Sequence, residues 1–353
     1  MNKKTKKFFF EINHPGQVHL LRNVYFELIA QGHIVIVACK EEKIITDLLS
    51  FYHVPYKSLG TKGNGKWGKL FKQILFDLRA LKLVLKYRCT VGVGSSMTND
   101  HLSALLPWFH SIHLSDDDES AVPLIVKFSY PFADAILAPM CIEIPSFEKK
   151  LIRYPSYHEL AYLHPSRFTP DPTVLARAGI NENTNYFVLR FVALKGHHDE
   201  GHKGISLEQK RILIGFLETK GKVFITSEKK IEPEFEHLRL PIPPQDIHSF
   251  LFYAAGFAGD SQTMTTEAAL LGTPSFKCNT FARKLSIPNE IEDQYQLCQS
   301  FQPDAFEAFF ESIQLTFADI TAAKKLWSNR REKLLAEKID LSLYLTHYLT
   351  SDL

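Results

Sequence analysis

The chain has 353 residues, 45% hydrophobic and 23% charged, which suits two domains of ordinary size and excludes a disordered chain. With 41 basic and 39 acidic residues the formal charge is +2, so no global electrostatic footprint for nucleic acid exists. Five scattered cysteines, Cys39, Cys89, Cys141, Cys278 and Cys298, form no Cys-x-x-Cys pair; this argues against a disulfide framework or a zinc site and fits a reducing compartment.

The basic N-terminus MNKKTKKFFFEINHPG is broken at Glu11 and Asn13, too early for a signal peptide, and reads as a lysine-flanked strand over 7–12. No stretch approaches eighteen uninterrupted apolar residues, so no membrane span is expected and the expected location is cytoplasmic. After the loop NHPGQVH, the spacing of Leu21, Val24, Tyr25, Leu28 and Ile29 predicts a helix, ended by Gly32. HIVIVAC (33–39) reads as a strand, EKIITDLLSFY as a helix, and about 67–87 as a long helix. TVGVGSS (90–96) reads as a strand and turn, HSIHLSDDDES (110–120) as a strand ending in acids, and ADAILAP (133–139) as the close of the first half.

A proline- and tyrosine-rich connection over 153–172 marks a domain boundary. The second half restarts with the strand NYFVLRFVA (185–193), then a His- and Gly-rich loop, a helix, the strand KVFITSE (222–228) and the helix of IPPQDIHSFLFYAA. Helical patterns fill 303–350. Alternating strands and helices predict two α/β halves with parallel sheets, and ligands bind beyond the carboxyl ends of such strands.

GDSQTMTTEAALLGTP (259–274) follows an apolar run. A turn of small hydroxyl residues can expose the unpaired N–H groups of a helix start to a phosphate, while Glu267 could accept hydrogen bonds from ribose hydroxyls. The alternative is an ordinary core helix capped by Ser261 or Thr263 with Glu267 solvated. Gly272 and Pro274 end the helix.

Other groups fall at strand ends. In NHPGQVH, His14 or His19 could serve as a general base, with Gly16 allowing close approach of substrate; the alternative is a polar helix start with His19 packed against the neighbouring turn. Asp116 and Asp117 could act as bases or bind sugar hydroxyls, or simply solvate a loop. Gly94 and Ser95 belong to the small-residue turn after a strand. Arg190, with Lys195, His197, His198, His202 and Lys203, could form a positive lid over a diphosphate or an acidic sugar; the alternative is a solvated loop. Metal ligation by His198 and His202 is disfavoured, because an i, i+4 pair needs a helix and glycines frame this loop. Ser227 and Glu228 end another strand and could contact the nucleotide sugar. In helix 66–88, Trp67, Leu70, Phe71, Ile74, Leu75, Leu78, Leu81 and Leu85 form a stripe beside Lys66, Lys69, Lys72, Arg79, Lys82 and Lys86. That stripe packs on the sheet, or lies on an anionic membrane surface.

The 259–274 segment resembles the nucleotide-binding stretch of GT-B-fold enzymes, the UDP-sugar glycosyltransferases and UDP-N-acetylglucosamine 2-epimerases. More closely, HPGQVHLLRN, GVGSS, YPSYHELAYLHPSRFTPDP, VLRFVALKGHHDEGHKG, IPPQDIHSFL and GDSQTMTTEAALLGTP resemble domain-of-unknown-function family 354 of the same superfamily. The resemblance implies an α/β fold of two Rossmann-like domains facing across a cleft, with C-terminal helices. The expected division is 1–155 for the acceptor side, 156–330 for the nucleotide sugar, and 331–353 for a C-terminal helix packing back on the first domain. It further implies that Glu267 binds ribose and that the turn Ser261, Gln262 and Thr263 holds the diphosphate, with Asp260 and Met264 expected among the nucleotide-sugar contacts. Asp246, Ile247 and His248 would frame the base, while the base-catalyst position falls nearest Gln17. The expected activity is glycosyl transfer from a nucleotide-diphosphate sugar, UDP-linked, to an unknown sugar or lipid-linked acceptor, with no metal and no cofactor. Epimerisation or hydrolysis of a UDP-sugar, and non-catalytic nucleotide-sugar binding, are the alternatives. An NAD-dependent dehydrogenase is disfavoured because no Gly-x-Gly-x-x-Gly follows the first strand.

Overall fold

The computed structural model describes residues 5–61, 63, 65–181, 183–191, 204–227 and 230–351. It divides into two compact units, one of residues up to Arg167 together with Lys338 onward, the other Phe168–Glu337.

The first unit contains β1 (Lys7–Ile12), α1 (Pro15–Ala30), β2 (Ile34–Lys40), α2 (Lys43–Phe51), β3 (Tyr56–Gly60) and α3 (Gly65–Tyr87). It continues with β4 (Val91–Gly94), α4 (Met97–Leu105), β5 (His110–Leu114), α5 (Pro123–Phe128), β6 (Ala135–Pro139), β7 (Leu151–Tyr154) and α6 (Leu160–Leu163). The strands form one sheet in the order β3-β2-β1-β4-β5-β6-β7, with every neighbouring pair parallel. Phe8, Phe9 and Phe10 are fully buried because β1 is central and covered on both faces.

The second unit contains α7 (Thr173–Arg177), β8 (Tyr186–Arg190), α8 (Leu207–Glu218), β9 (Lys222–Thr226), α9 (Ile247–Tyr253), β10 (Gly256–Gly259) and α10 (Gln262–Leu270). β11 (Ser275–Cys278), α11 (Ser286–Asp293), β12 (Cys298–Phe301), α12 (Phe306–Thr316) and α13 (Ile320–Glu337) complete it. Its parallel sheet runs β12-β11-β10-β8-β9. A core of Phe187, Leu189, Leu213, Leu217, Phe276, Phe309 and Phe317 fills one face. The last helix, α14 (Leu341–Thr350), returns to the first unit. There the Ser342 hydroxyl donates to the Ala161 carbonyl at 2.7 Å and Arg167 pairs with Asp340 at 2.5 Å.

Two elements differ from the sequence reading. The 153–172 segment is not merely a connection: Tyr154 ends β7, and Tyr157, Leu160 and Leu163 are fully buried in the first unit. Helix α3 turns a different face inward. Phe76, Ala80 and Val84 join the core, whereas Phe71, Ile74, Leu78 and Leu85 are exposed, Phe71 at 61% and Leu78 at 56%. Apolar residues occupy both sides of this helix, so periodicity alone selects no face. Among the described residues no helix is long and apolar enough to cross a membrane.

Candidate functional site

Strand order fixes where each sheet offers a crevice. In the first unit the chain moves outward from β1 to β2 and β3, then resumes on the other side of β1 with β4. In the second it moves from β8 out to β9 and resumes on the other side with β10. Each reversal opens a space at the carboxyl ends of β1/β4 and β8/β10, the usual place for ligands in open parallel sheets.

At the β8/β10 switch point, Ser261 caps α10, its hydroxyl accepting from the Met264 N–H at 3.5 Å. The backbone is tight here: a Cβ on Gly259 would lie 2.1 Å from the Arg190 carbonyl oxygen. Asp260 and Ser261 are buried, Gln262 and Met264 partly buried, and Thr263 exposed at the helix start. Gly272, at φ +80°, terminates the element. Beside the turn lies a charge the sequence reading missed. Lys277 of β11 sits in register with Gly259 and is fully buried; its Nζ donates to Gln262 Oε1 at 2.6 Å. Burial pushes this ammonium's pKa down, and the partial positive charge of the helix start adds to the positive field at the turn. The only sequence signal was a lone cation within the short run SFKC.

Other expected contacts converge on the same edge. Arg190 ends β8, its Nη1 3.3 Å from Thr226 Oγ1 of β9, and Ser227 follows directly. Glu267 and His248 are both buried, His248 Nε2 lying 3.0 Å from Glu267 Oε1. Asp246 caps α9 and is held by Arg177, Nη2 to Oδ2 at 2.8 Å; Ile247 begins the helix. Lys195, His197, His198, His202, Lys203 and Glu228 lie outside the described residues.

In the first unit, His14 caps α1, its Nδ1 accepting from the Gly16 N–H at 3.2 Å. Gln17 ties the same loop, its Oε1 accepting from the Asn13 N–H at 2.7 Å. His19 is placed otherwise than in the expected loop. It is buried in α1, its ring packed against Tyr52 and Tyr162. Gly94 ends β4 and Ser95 follows it, partly exposed.

The acids after β5 divide by role. Asp118 is buried and accepts from the Glu143 N–H at 3.0 Å, a structural tie. Asp116, 47% exposed at its side chain, pairs with His158 at 3.3 Å. Burial would raise the Asp116 pKa, but the His158 charge and hydrogen bond lower it further than burial raises it. Burial likewise disfavours a charged His158, yet Asp116 holds that imidazole's pKa above its ordinary value. Asp117 is pushed up to about 6, by burial first and by the adjacent Asp116 charge second. The edge therefore carries one carboxyl held below its ordinary pKa and one raised to about 6, the kind of pair general acid–base chemistry uses. His158 was not singled out in the sequence, where it sat in a proline-rich segment with no chemical pattern around it. Among the described residues no group of three or more His, Cys, Asp or Glu side chains is placed to hold a metal ion.

Several solved structures share this architecture. UDP-GlcNAc 2-epimerase from Neisseria meningitidis, bound to UDP-GlcNAc, has a TM-score of 0.67 at 13% identity, over 98% of this chain and 100% of that one. Anabaena Alr3699/HepE, in complex with UDP and glucose, has a TM-score of 0.64 at 13% identity, over 98% and 100%. Spinosyn forosaminyltransferase SpnP has a TM-score of 0.64 at 13% identity, over 99% and 100%. These similarities give the fold, two Rossmann-like α/β units of the GT-B type. Among curated proteins no relative matches. The model of the family described as "Protein of unknown function (DUF354)" matches residues 7–301, and the chain belongs to that family.

Proposed function

We propose that the protein is a glycosyltransferase that uses a nucleotide-diphosphate sugar, UDP-linked, in the assembly of a cell-surface polysaccharide or glycolipid. The observation that carries this reading is the start of α10 at the β8/β10 switch point, where close backbone packing and buried Lys277 surround a cluster of helix-terminal N–H groups. Such a seat binds a diphosphate and stabilises it as it leaves, without a metal ion. Glu267, oriented by His248, then reads the ribose, and the start of α9 borders the base. Structures of this fold that hold UDP or UDP-GlcNAc support a nucleotide-sugar ligand.

The first unit supplies the acceptor side. Asp117 takes the proton of an acceptor hydroxyl as its oxygen bonds to the sugar carbon and the UDP–sugar bond breaks. Asp116 and His158 hold the neighbouring charge in place. The exposed face of α3, with Phe71, Ile74 and Leu78 beside Lys82 and Lys86, supports peripheral contact with an anionic membrane, as a lipid-linked acceptor would require.

A second reading, epimerisation of the UDP-sugar, is favoured by one observation. A carboxyl raised to about 6 stands beside one held below its ordinary pKa, which suits removal and return of a proton on a sugar ring. Incubation with a panel of UDP-sugars, with and without lipid extract, separates the two by NMR. UDP release that depends on the extract supports transfer. Turnover without acceptor supports epimerisation or hydrolysis. Failure of every UDP-sugar to bind sinks both.

A further inference from the structure

The β1/β4 switch point holds a polar cluster that the roles above leave unused. Glu11, the fifth residue of β1, is 0% exposed, and Asn99, in the first turn of α4, is 1% exposed. Glu11 Oε1 accepts from Asn13 Nδ2 at 3.0 Å, while Glu11 Oε2 has no partner among the described residues. Both polar atoms of the Asn99 amide, Asn13 Oδ1 and Ser96 Oγ are likewise buried without a partner among the described residues.

Register explains why these groups meet. Phe10 pairs with Val93, so the next residues, Glu11 and Gly94, lie side by side at the strand ends. A Cβ on Gly94 would sit 3.3 Å from Glu11 Cβ and 3.2 Å from Asn99 Nδ2. A Cβ on Gly92 would sit 2.7 Å from Asn99 Oδ1. The two glycines thus leave β4 bare, and the Asn99 amide lies across it next to Glu11. Ser96 caps α4 in position only, because its hydroxyl makes no capping bond. Asn13 and Ser96 are partly exposed, whereas the Glu11 carboxyl and the Asn99 amide are buried.

Leaving so many hydrogen-bonding groups unmatched is unfavourable for folding alone, and native proteins keep few of them. Their chemistry is selective. A carboxyl and an amide oxygen accept, an amide nitrogen donates, and the cluster contributes no cation to attract an anion. Adjacent hydroxyl groups of an uncharged sugar satisfy all three.

We propose that Glu11 and Asn99, with the partly exposed Asn13, form a binding subsite for the hydroxyls of a neutral hexose unit. The proposal rests on the glycosyl-transfer reading, in which this unit takes the acceptor.

The test uses the full chain and the methyl glycosides of glucose, galactose, mannose and N-acetylglucosamine, titrated by saturation-transfer NMR. UDP is titrated in parallel. At least one glycoside should saturate the wild type, and both Glu11→Gln and Asn99→Leu should weaken it roughly tenfold or more, as loss of a hydrogen bond to a charged or buried group does. UDP affinity should be unchanged in both variants. If none of the four glycosides binds the wild type, or if both variants bind as it does, the subsite is overturned. Asn99→Leu raising the melting temperature with glycoside binding intact would likewise show a packing role only. Absence of UDP binding with glycoside binding retained would sink the nucleotide assignment and leave this subsite standing.

Discussion

Replacing Asp117 by Asn should stabilise the protein at neutral pH while removing its activity. The Asp117 pKa stands at about 6 in the folded chain against an ordinary 3.8, raised first by burial and then by the Asp116 charge. Between those values the unfolded chain gives up a proton that the folded chain keeps. Stability from this group is therefore complete below about pH 4 and lost as pH rises through about 6. A shift of roughly two units corresponds to about 3 kcal/mol at 1.36 kcal/mol per unit. Because the residue is only partly buried, about 1–2 kcal/mol is the better expectation. Asn has the same shape and no proton to lose, so the stability difference between variant and wild type should grow from pH 4 to pH 6.5 and then level off. Guanidinium unfolding followed by circular dichroism across pH 4–8 measures it. With Asp117 as the general base, transfer should fall by roughly 10²–10⁴ in kcat. A difference that stays flat with pH, or an Asn variant that keeps its activity, refutes the reasoning.

Three further outcomes follow from geometry. Gly259→Ala places a methyl 2.1 Å from the Arg190 carbonyl oxygen, on backbone that cannot move aside, and should cost about 3 kcal/mol or more together with UDP binding. Gly215→Ala, in the exposed middle of α8 with nothing within 4 Å of the new methyl, should instead stabilise by about 0.5–1 kcal/mol; equal effects in thermal melts would contradict this account of both sites. The double variant Phe71→Ser, Leu78→Ser should abolish sedimentation with phosphatidylglycerol vesicles and change stability by no more than about 0.5 kcal/mol, since both side chains already face solvent. Undiminished sedimentation would remove α3 from any membrane role.

Much of the architecture was legible because its signals are local. The repeat of Leu21, Val24, Tyr25 and Leu28 and the stop at Gly32 give α1 and its end, and Ser261 and Gly272 bracket α10 as their chemistry demands. Strands β7, β11 and β12 were not legible. LIRY, SFKC and CQSF are four-residue segments with polar or charged members, and they become strands only because a sheet already waits beside them. The α3 face was ambiguous for a related reason. The small Ala80 lets the helix close on the sheet along Phe76 and Val84, a matter of fit and not of period.

At the candidate site, the start of α10 was readable from small hydroxyl residues before a helix. The pairings His158–Asp116 and Lys277–Gln262 were not, since each joins residues on separate elements through the fold alone. His19 shows the converse. Its type suggested chemistry, and its position in α1 puts it among tyrosines.

The central claim is that the start of α10 seats a diphosphate, and calorimetric titration of UDP, UMP and uridine tests it most directly. UDP should bind at least about tenfold more tightly than uridine, with UMP between them, as charge-assisted contacts to phosphate require. Equal affinity for uridine and UDP, or no heat from UDP at millimolar concentration, would contradict it.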